Sequence, residues 1–164
     1  MAYVFGALRT FVIYPEAPEV RVEIEGSAKK AIECQSHQIS ILNGKRMGGT
    51  FFMAPRASNF DGLLDLCMAP RLTRGDMIGL MLRYTKGTQA ENPKMFTTRA
   101  AYFSIRAPKG GLVVHADGET VTTNGTSLEV GCVPAALRIV YDLETAALRS
   151  AIHAGIPEPL RFVP

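Results

Sequence analysis

No stretch of this 164-residue chain approaches the roughly 18 consecutive apolar residues that a membrane-crossing helix needs. The apolar start, Ala2 to Tyr14, also lacks the basic flank of an export signal. Both absences point to a soluble, cytoplasmic protein. Cysteine is scarce: Cys34, Cys67 and Cys132 stand apart with no C-x-x-C spacing. That argues against a disulfide framework or zinc ligation and for buried thiols in a reducing compartment. Clustered positive charge is missing too. The net charge is +3, and the basic residues come singly or in pairs such as Lys29-Lys30 and Lys45-Arg46, so no nucleic-acid partner is expected. A face this weakly basic suits an anionic small ligand or a lipid surface at most. There is no internal repeat, no low-complexity segment and no phosphate loop of the G-x-x-x-x-G-K-[ST] kind.

What is present is apolar residue in short, punctuated pieces. At 47% hydrophobic, the chain is one ordinary domain, long enough to bury about two thirds of its unfolded surface. After the breakers Tyr14-Pro15 and Ala17-Pro18, which end a short helical or extended lead-in, Val20, Val22 and Ile24 alternate with Arg21, Glu23 and Glu25, the mark of a half-buried strand. Gly26-Ser27 turns it, and Lys30 to Leu42 continues extended. Thr50 to Ala54, Leu64 to Ala69, Phe96 to Arg106, Leu112 to Ala116, Leu128 to Val133 and Leu137 to Tyr141 read as further strands. A helix is expected from Thr73, with Asp76 three residues on as a box-like cap, to a stop at Gly87. A last helix runs from Leu143 to His153, capped by Asp142 and stopped by Gly155. The fold class is mainly β, a sandwich or barrel with two or three short helices.

Chemistry concentrates in three turns. Asn43-Gly44 and Gly48-Gly49 surround one short loop with residues that tolerate positive φ; its amides either approach a phosphate or another domain, or simply turn a hairpin. Asp61-Gly62-Leu63-Leu64-Asp65 sets two carboxylates four apart. That suits a hard cation such as Mg²⁺, unless Asp61 only caps its own turn. Asp117-Gly118-Glu119 follows an apolar strand, so its acids emerge at a sheet edge within reach of a substrate, or form a solvated type I′ turn. The histidines have no partners at ligand or triad spacing: His37 is in a polar strand, His153 at a helix end, and only His115 is near an acidic turn.

Taken in order, N-G-x-x-x-G-G, then A-P-x-A-x-x-x-D-G-x-L-D, then D-G-E, then V-P-A-A-L-R-I-V resemble the C-terminal half of the diacylglycerol kinase catalytic family of lipid kinases. The matching stretches are Asn43 to Asp65, Asp117 to Glu119 and Val133 to Val140, with Ala2 to Gly26 similar to the segment that crosses into this domain. The resemblance implies a single C-terminal β-sandwich domain of the NAD kinase type over residues 1–164, closing a cleft against an N-terminal nucleotide-binding domain. It implies ATP held mainly by that other domain. Mg²⁺ would be braced by Ser58, Asp61 and the carbonyl of Leu63. Glu119 would accept the lipid hydroxyl proton, and Asp117 would shape the turn or sit near a catalytic metal. Asn43, Gly44, Gly48 and Gly49 become cofactor-side residues, with Lys45 or Arg46 offsetting phosphate charge, and Met47, Phe51, Phe52 and Phe60 become candidates to line an acyl groove.

The departure is as large as the match. The G-G-D-G-T loop of the nucleotide half does not occur, and the matched region begins almost at Met1. The expectation is a piece cut at a domain boundary or a separate domain, inert as a kinase alone, with a lipid substrate, its N-terminal domain as partner and room for peripheral contact with a membrane. The alternative is a non-catalytic cation- or ligand-binding β-sandwich module.

Overall fold

The computed structural model describes residues 16–25 and 31–137. The expected lead-in at 2–14, the Gly26-Ser27 turn, the strand at 138–141 and the helix at 143–153 with His153 lie outside them. The elements are β1 (Glu19–Ile24), β2 (Ile32–Leu42), β3 (Leu64–Pro70), α1 (Arg74–Lys86), a 3-10 turn (Gln89–Glu91), β4 (Phe96–Ala100), β5 (Tyr102–Arg106), β6 (Leu112–Ala116), β7 (Glu119–Gly125) and β8 (Ser127–Gly131). Six strands form one sheet in the order β4-β3-β2-β1-β5-β8, and β6 and β7 form a separate hairpin. Every pairing is antiparallel.

Two corners bend the large sheet into layers. β2 pairs with β1 through Ile32 to Gln35 and with β3 from Ser36 onward, and its register slips between Ser36 and Gln38. Such a bulge bends and twists its strand. The buried Ser36 hydroxyl lies 2.7 Å from the Ala69 carbonyl and 3.0 Å from that of Gln38, supplying a donor where the ladder is interrupted. The second corner is at Ala101. The expected single strand Phe96 to Arg106 is broken there into β4, paired with β3, and β5, paired with β1 and β8. Because β4 ends one side of the strand order and β5 lies at the other, this one-residue link curls the sheet back on itself.

The curled sheet encloses the first core: Val20, Val22 and Ile24 from β1, Leu64, Leu66 and Met68 from β3, and Phe103 and Ile105 from β5. The opposite face of β3 presents Cys67 and Ala69 to a second core with Met53, Leu72, Leu80 and Tyr84, so α1 packs there. A strand buried on both faces has no reason to alternate, which accounts for the unbroken apolar run of β3. Burial pushes the Cys67 thiol up to about 11 and raises that of Cys34, leaving neither as a ready nucleophile. All three cysteines are free.

Helix α1 keeps its expected ends. The Thr73 hydroxyl accepts from the Asp76 N–H, the Asp76 carboxylate accepts from the Thr73 N–H, and Gly87 closes the helix in the left-handed region. Alanine at Gly87 would be strained by φ of 71° and would bring Cβ to 3.0 Å from Pro55 Cγ. Thr50 to Ala54 is not a strand. Only the Met47–Phe51 bridge forms, because Met53 and Ala54 are drawn into the interior without a partner strand. In the other direction, β7 is a strand that its polar sequence, ETVTTNG, conceals.

Replacing fully buried Leu66 by Ala is expected to lower stability by about 2–5 kcal/mol in urea unfolding, whereas Val113→Ala on the exposed hairpin face changes it by roughly 0.5 kcal/mol or less. Lys94 and the Thr73 hydroxyl hold the Asp76 carboxyl down at about 2. A depressed carboxyl stabilises the fold above its unfolded value of 3.8 and ceases to as pH falls through about 2. Asp76→Asn is therefore expected to be less stable than the parent at neutral pH, with the gap closing between those two values in acid unfolding curves.

Candidate functional site

The glycine loop follows from its backbone. Met47 and Phe51 exchange N–H···O bonds of 2.9 and 3.2 Å across Gly48 and Gly49, which have φ of 58° and 75°. A Cβ at either glycine would meet nothing within 4 Å. Conformation, not close approach, is what demands glycine here. Arg46 donates 2.8 Å to the Gly49 carbonyl and lies 3.7 Å over the Phe52 ring, so it staples the loop to its base. The Lys45 carbonyl accepts from Ala54. Of the four acyl-groove candidates, Phe51 packs edge-on against Tyr84 and Phe52 lies under Arg46. Met47 and Phe60 are exposed.

The Asp61 turn adjoins this loop, since a Cβ on Gly44 would lie 3.8 Å from the Asn59 side chain. Asp61 Oδ1 accepts from the Leu63 N–H at 3.0 Å, Ser58 Oγ accepts from the Phe60 N–H at 3.3 Å, and Gly62 turns with φ of 70°. Ser58, Asp61 and Leu63 thus supply hydroxyl, carboxylate and carbonyl oxygens from one six-residue stretch, a donor set of the kind a hard cation takes. Among the described residues, no three His, Cys, Asp or Glu side chains gather for a metal. The charge beside Asp61 comes from β4 instead. Arg99 forms an ion pair with Asp61 through Nη2 and reaches Asp65 through Nε at 3.3 Å.

Arg99 is the residue that the sequence conceals. It faces Asp65 because β3 and β4 pair in that register, a fact of long-range alignment that no local motif encodes. Burial raises the Asp65 carboxyl above its ordinary value, against the pull of Arg99. A small cavity of about 70 Å³ lies alongside, lined by Arg56, Asp65, Gln89, Thr97 and Arg99 among others. Buried Gln89 forms part of its wall and donates 2.8 Å bonds to the carbonyls of Phe52 and Met53.

The third turn is at the tip of the separate hairpin. Ala116 pairs with Glu119 across Asp117 and Gly118, whose φ values of 50° and 93° are both positive, as a type I′ turn requires. Asp117 accordingly serves the turn, and Glu119, the first residue of β7, is exposed. The hairpin is held to the body by buried Leu112 and half-buried Val114, which join the first core, and its open end is closed by the Gly111 N–H to Asn124 Oδ1 bond of 2.9 Å. His115 Nδ1 is 3.2 Å from Thr120 Oγ1, one pair back from the turn. His37 is structural, its Nδ1 accepting from the Leu72 N–H.

This fold is similar to that of part of solved chains described as diacylglycerol kinases. A Bacillus anthracis str. Sterne structure of that name superposes with a TM-score of 0.61 at 19% identity, over 84% of this chain and 46% of that one. Residues 1–141 match the family described as the YegS C-terminal NAD kinase β-sandwich-like domain, and the chain belongs to it. It is 30% identical over 135 residues to the lipid kinase YegS of Escherichia coli K12, covering 82% of this chain and 41% of that protein. Against the diacylglycerol kinase of Mycobacterium tuberculosis H37Rv it is 34% identical over 98 residues, 60% of this chain and 30% of the relative. The chain thus spans less than half the length of the kinases it matches.

Replacing Arg99 by Met removes the cation that is bonded to Asp65, at an expected cost of about 1–3 kcal/mol near pH 7. Freed from Arg99, the Asp65 carboxyl rises further above 3.8, so the folded state keeps a proton that the unfolded state has released. The variant's stability then falls as pH rises through that interval. Urea unfolding at about pH 4 and about pH 7 is expected to give the larger deficit at the higher pH.

Proposed function

We propose that this chain is the lipid-side domain of an ATP-dependent lipid kinase that phosphorylates a hydroxyl of diacylglycerol or a related lipid. The observation that carries the reading is Glu119: an exposed carboxylate next to a two-residue turn, on a hairpin anchored in the core by Leu112 and Val114. Glu119 accepts the proton of the lipid hydroxyl as its oxygen bonds to the γ-phosphorus of ATP, and the bond from that phosphorus to the bridging oxygen breaks to leave ADP. Asp117 holds the turn that aims Glu119. The nucleotide is bound mainly by an N-terminal domain of the parent protein, which fits a chain that spans only 41% of a relative named as a lipid kinase. The loop of Asn43, Gly44, Gly48 and Gly49, with Lys45 at its base, faces that partner.

Ser58, Asp61 and the Leu63 carbonyl would hold Mg²⁺, whose contribution is to brace the turn and neutralise charge there. Arg99 is its competitor for Asp61, so cation occupancy and the Arg99–Asp61 pair are alternatives. The protein works in the cytoplasm at the membrane face where its substrate lies.

Alone, the chain is expected to show no ATP-dependent phosphorylation of diacylglycerol in mixed micelles, and to do so once an N-terminal nucleotide domain is joined to it. In that joined protein, Glu119→Gln is expected to lower kcat by about 10²–10⁴-fold with little change in KM, and Asp117→Asn by less. Turnover by the isolated chain, or an unaffected kcat in the Glu119→Gln variant, would overturn the assignment. The latter outcome is the one expected of a non-catalytic ligand-binding module.

A further inference from the structure

The outward face of α1 has no role in the proposed chemistry. Its inward face is settled: Leu80 and Tyr84 are buried in the second core and Met77 packs against it. At 100° per residue, Gly75, Ile78, Gly79, Leu82 and Lys86 fall on the opposite arc, Arg74 and Thr85 lie at its edge, and Met81 lies on the flank toward Met77. Ile78, Met81 and Leu82 are 51%, 41% and 62% exposed. Scattered single apolar residues need no explanation, but Ile78 and Leu82 on the outward arc, continued by Met81 on its flank, form a stripe.

Charge around the stripe has one sign. Arg74 stands at the helix start and Lys86 at its end, both exposed, and exposed Arg71 precedes the cap. No acid lies on the arc. Asp76 is on the flank, where it caps the helix and pairs with Lys94 at 2.9 Å, and Glu91 lies beyond the helix, near Arg83. An apolar stripe bracketed by cations suits contact with an anionic lipid surface, and the helix is too short to cross a bilayer.

We propose that α1 docks this domain on an anionic lipid surface, with Ile78, Met81 and Leu82 entering the acyl boundary and Arg74 and Lys86 meeting the headgroups. This rests on the lipid-kinase reading only for its purpose, and the contact itself requires neither ATP nor turnover. Three apolar side chains and a few cations give reversible attachment, as an enzyme that must move between substrate molecules needs.

The test is cosedimentation of the 164-residue chain with vesicles of phosphatidylcholine alone or with about a third phosphatidylglycerol, without nucleotide. Partitioning to the anionic vesicles is expected to be about tenfold or more stronger, falling about fivefold in Lys86→Gln and at least about tenfold in the double variant Ile78→Asn, Leu82→Asn. All three positions are exposed, so circular dichroism melting should match the parent, and a variant that melts early is replaced by Ile78→Ser, Leu82→Ser. Equal binding to both vesicle types, no binding, or binding unchanged in the double variant would overturn the proposal. So would sedimentation velocity giving a dimer that the double variant dissolves, since a second copy would then occupy the face. Kinase assays in micelles test Glu119 independently, so either idea can fail without the other.

Discussion

The burial of β3 on both faces is the constraint on which the rest of this structure depends. Leu64, Leu66 and Met68 fill the curled sheet, while Cys67 and Ala69 receive the helix. One strand therefore joins two cores, and its position determines much else. Its first residues follow directly from the Asp61-Gly62 turn, so this turn is held by a buried strand on its C-terminal side. Its last residue leads through Arg71 and Leu72 into the Thr73 cap. A cavity at Leu66 would loosen the candidate site and the outward helix together.

The two best-defined acids show how environment, not residue type, decides charge. Asp76 is on the surface, where Lys94 and the Thr73 cap hold it ionised. Asp65 points to the helix side of a buried strand, and desolvation outweighs the pull of Arg99 and, more weakly, of Arg56. Arg99 is shared with Asp61, so the Asp61 turn is tied electrostatically to β4 as well as covalently to β3. A guanidinium with two carboxylates loses less side-chain entropy per bond than two separate pairs would. It also places a fixed positive charge beside the Asp61 carboxylate.

What the sequence discloses depends on whether a signal is local. The alternation Val20, Val22, Ile24 suffices to orient β1, and Thr73, Asp76 and Gly87 mark α1 at both ends, because caps and two-residue periods are written in neighbouring residues. The type I′ turn is legible in Asp117-Gly118 for the same reason. The break at Ala101 is not, since nothing in Phe96 to Arg106 says that its halves serve different neighbours. Strand β7 is hidden because an exposed strand paired on one side needs no apolar alternation. Thr50 to Ala54 misleads in the opposite sense, its apolar residues filling an interior reached without a ladder. Among the candidate site residues, Ser58, Asp61, Leu63, Asp117 and Glu119 are each visible in a short motif, whereas Arg99 requires the β3–β4 register.

The hairpin that carries Glu119 has a consequence for the proposed division of labour between domains. Among the described residues, β6 and β7 pair with each other and with no other strand, and Val113 and Val121 are 60% and 61% exposed. Two strands alone are marginal in water; among the described residues Leu112 and Val114 anchor this hairpin at its root, and the turn with Asp117 and Glu119 is at the far end. A catalytic base must be held to within a fraction of an ångström. On the lipid-kinase reading, a nucleotide-binding partner domain would supply the remaining restraint. Binding of the partner and alignment of the base are then a single event, which explains in physical terms why the chain alone would be inert even with its carboxylate in place.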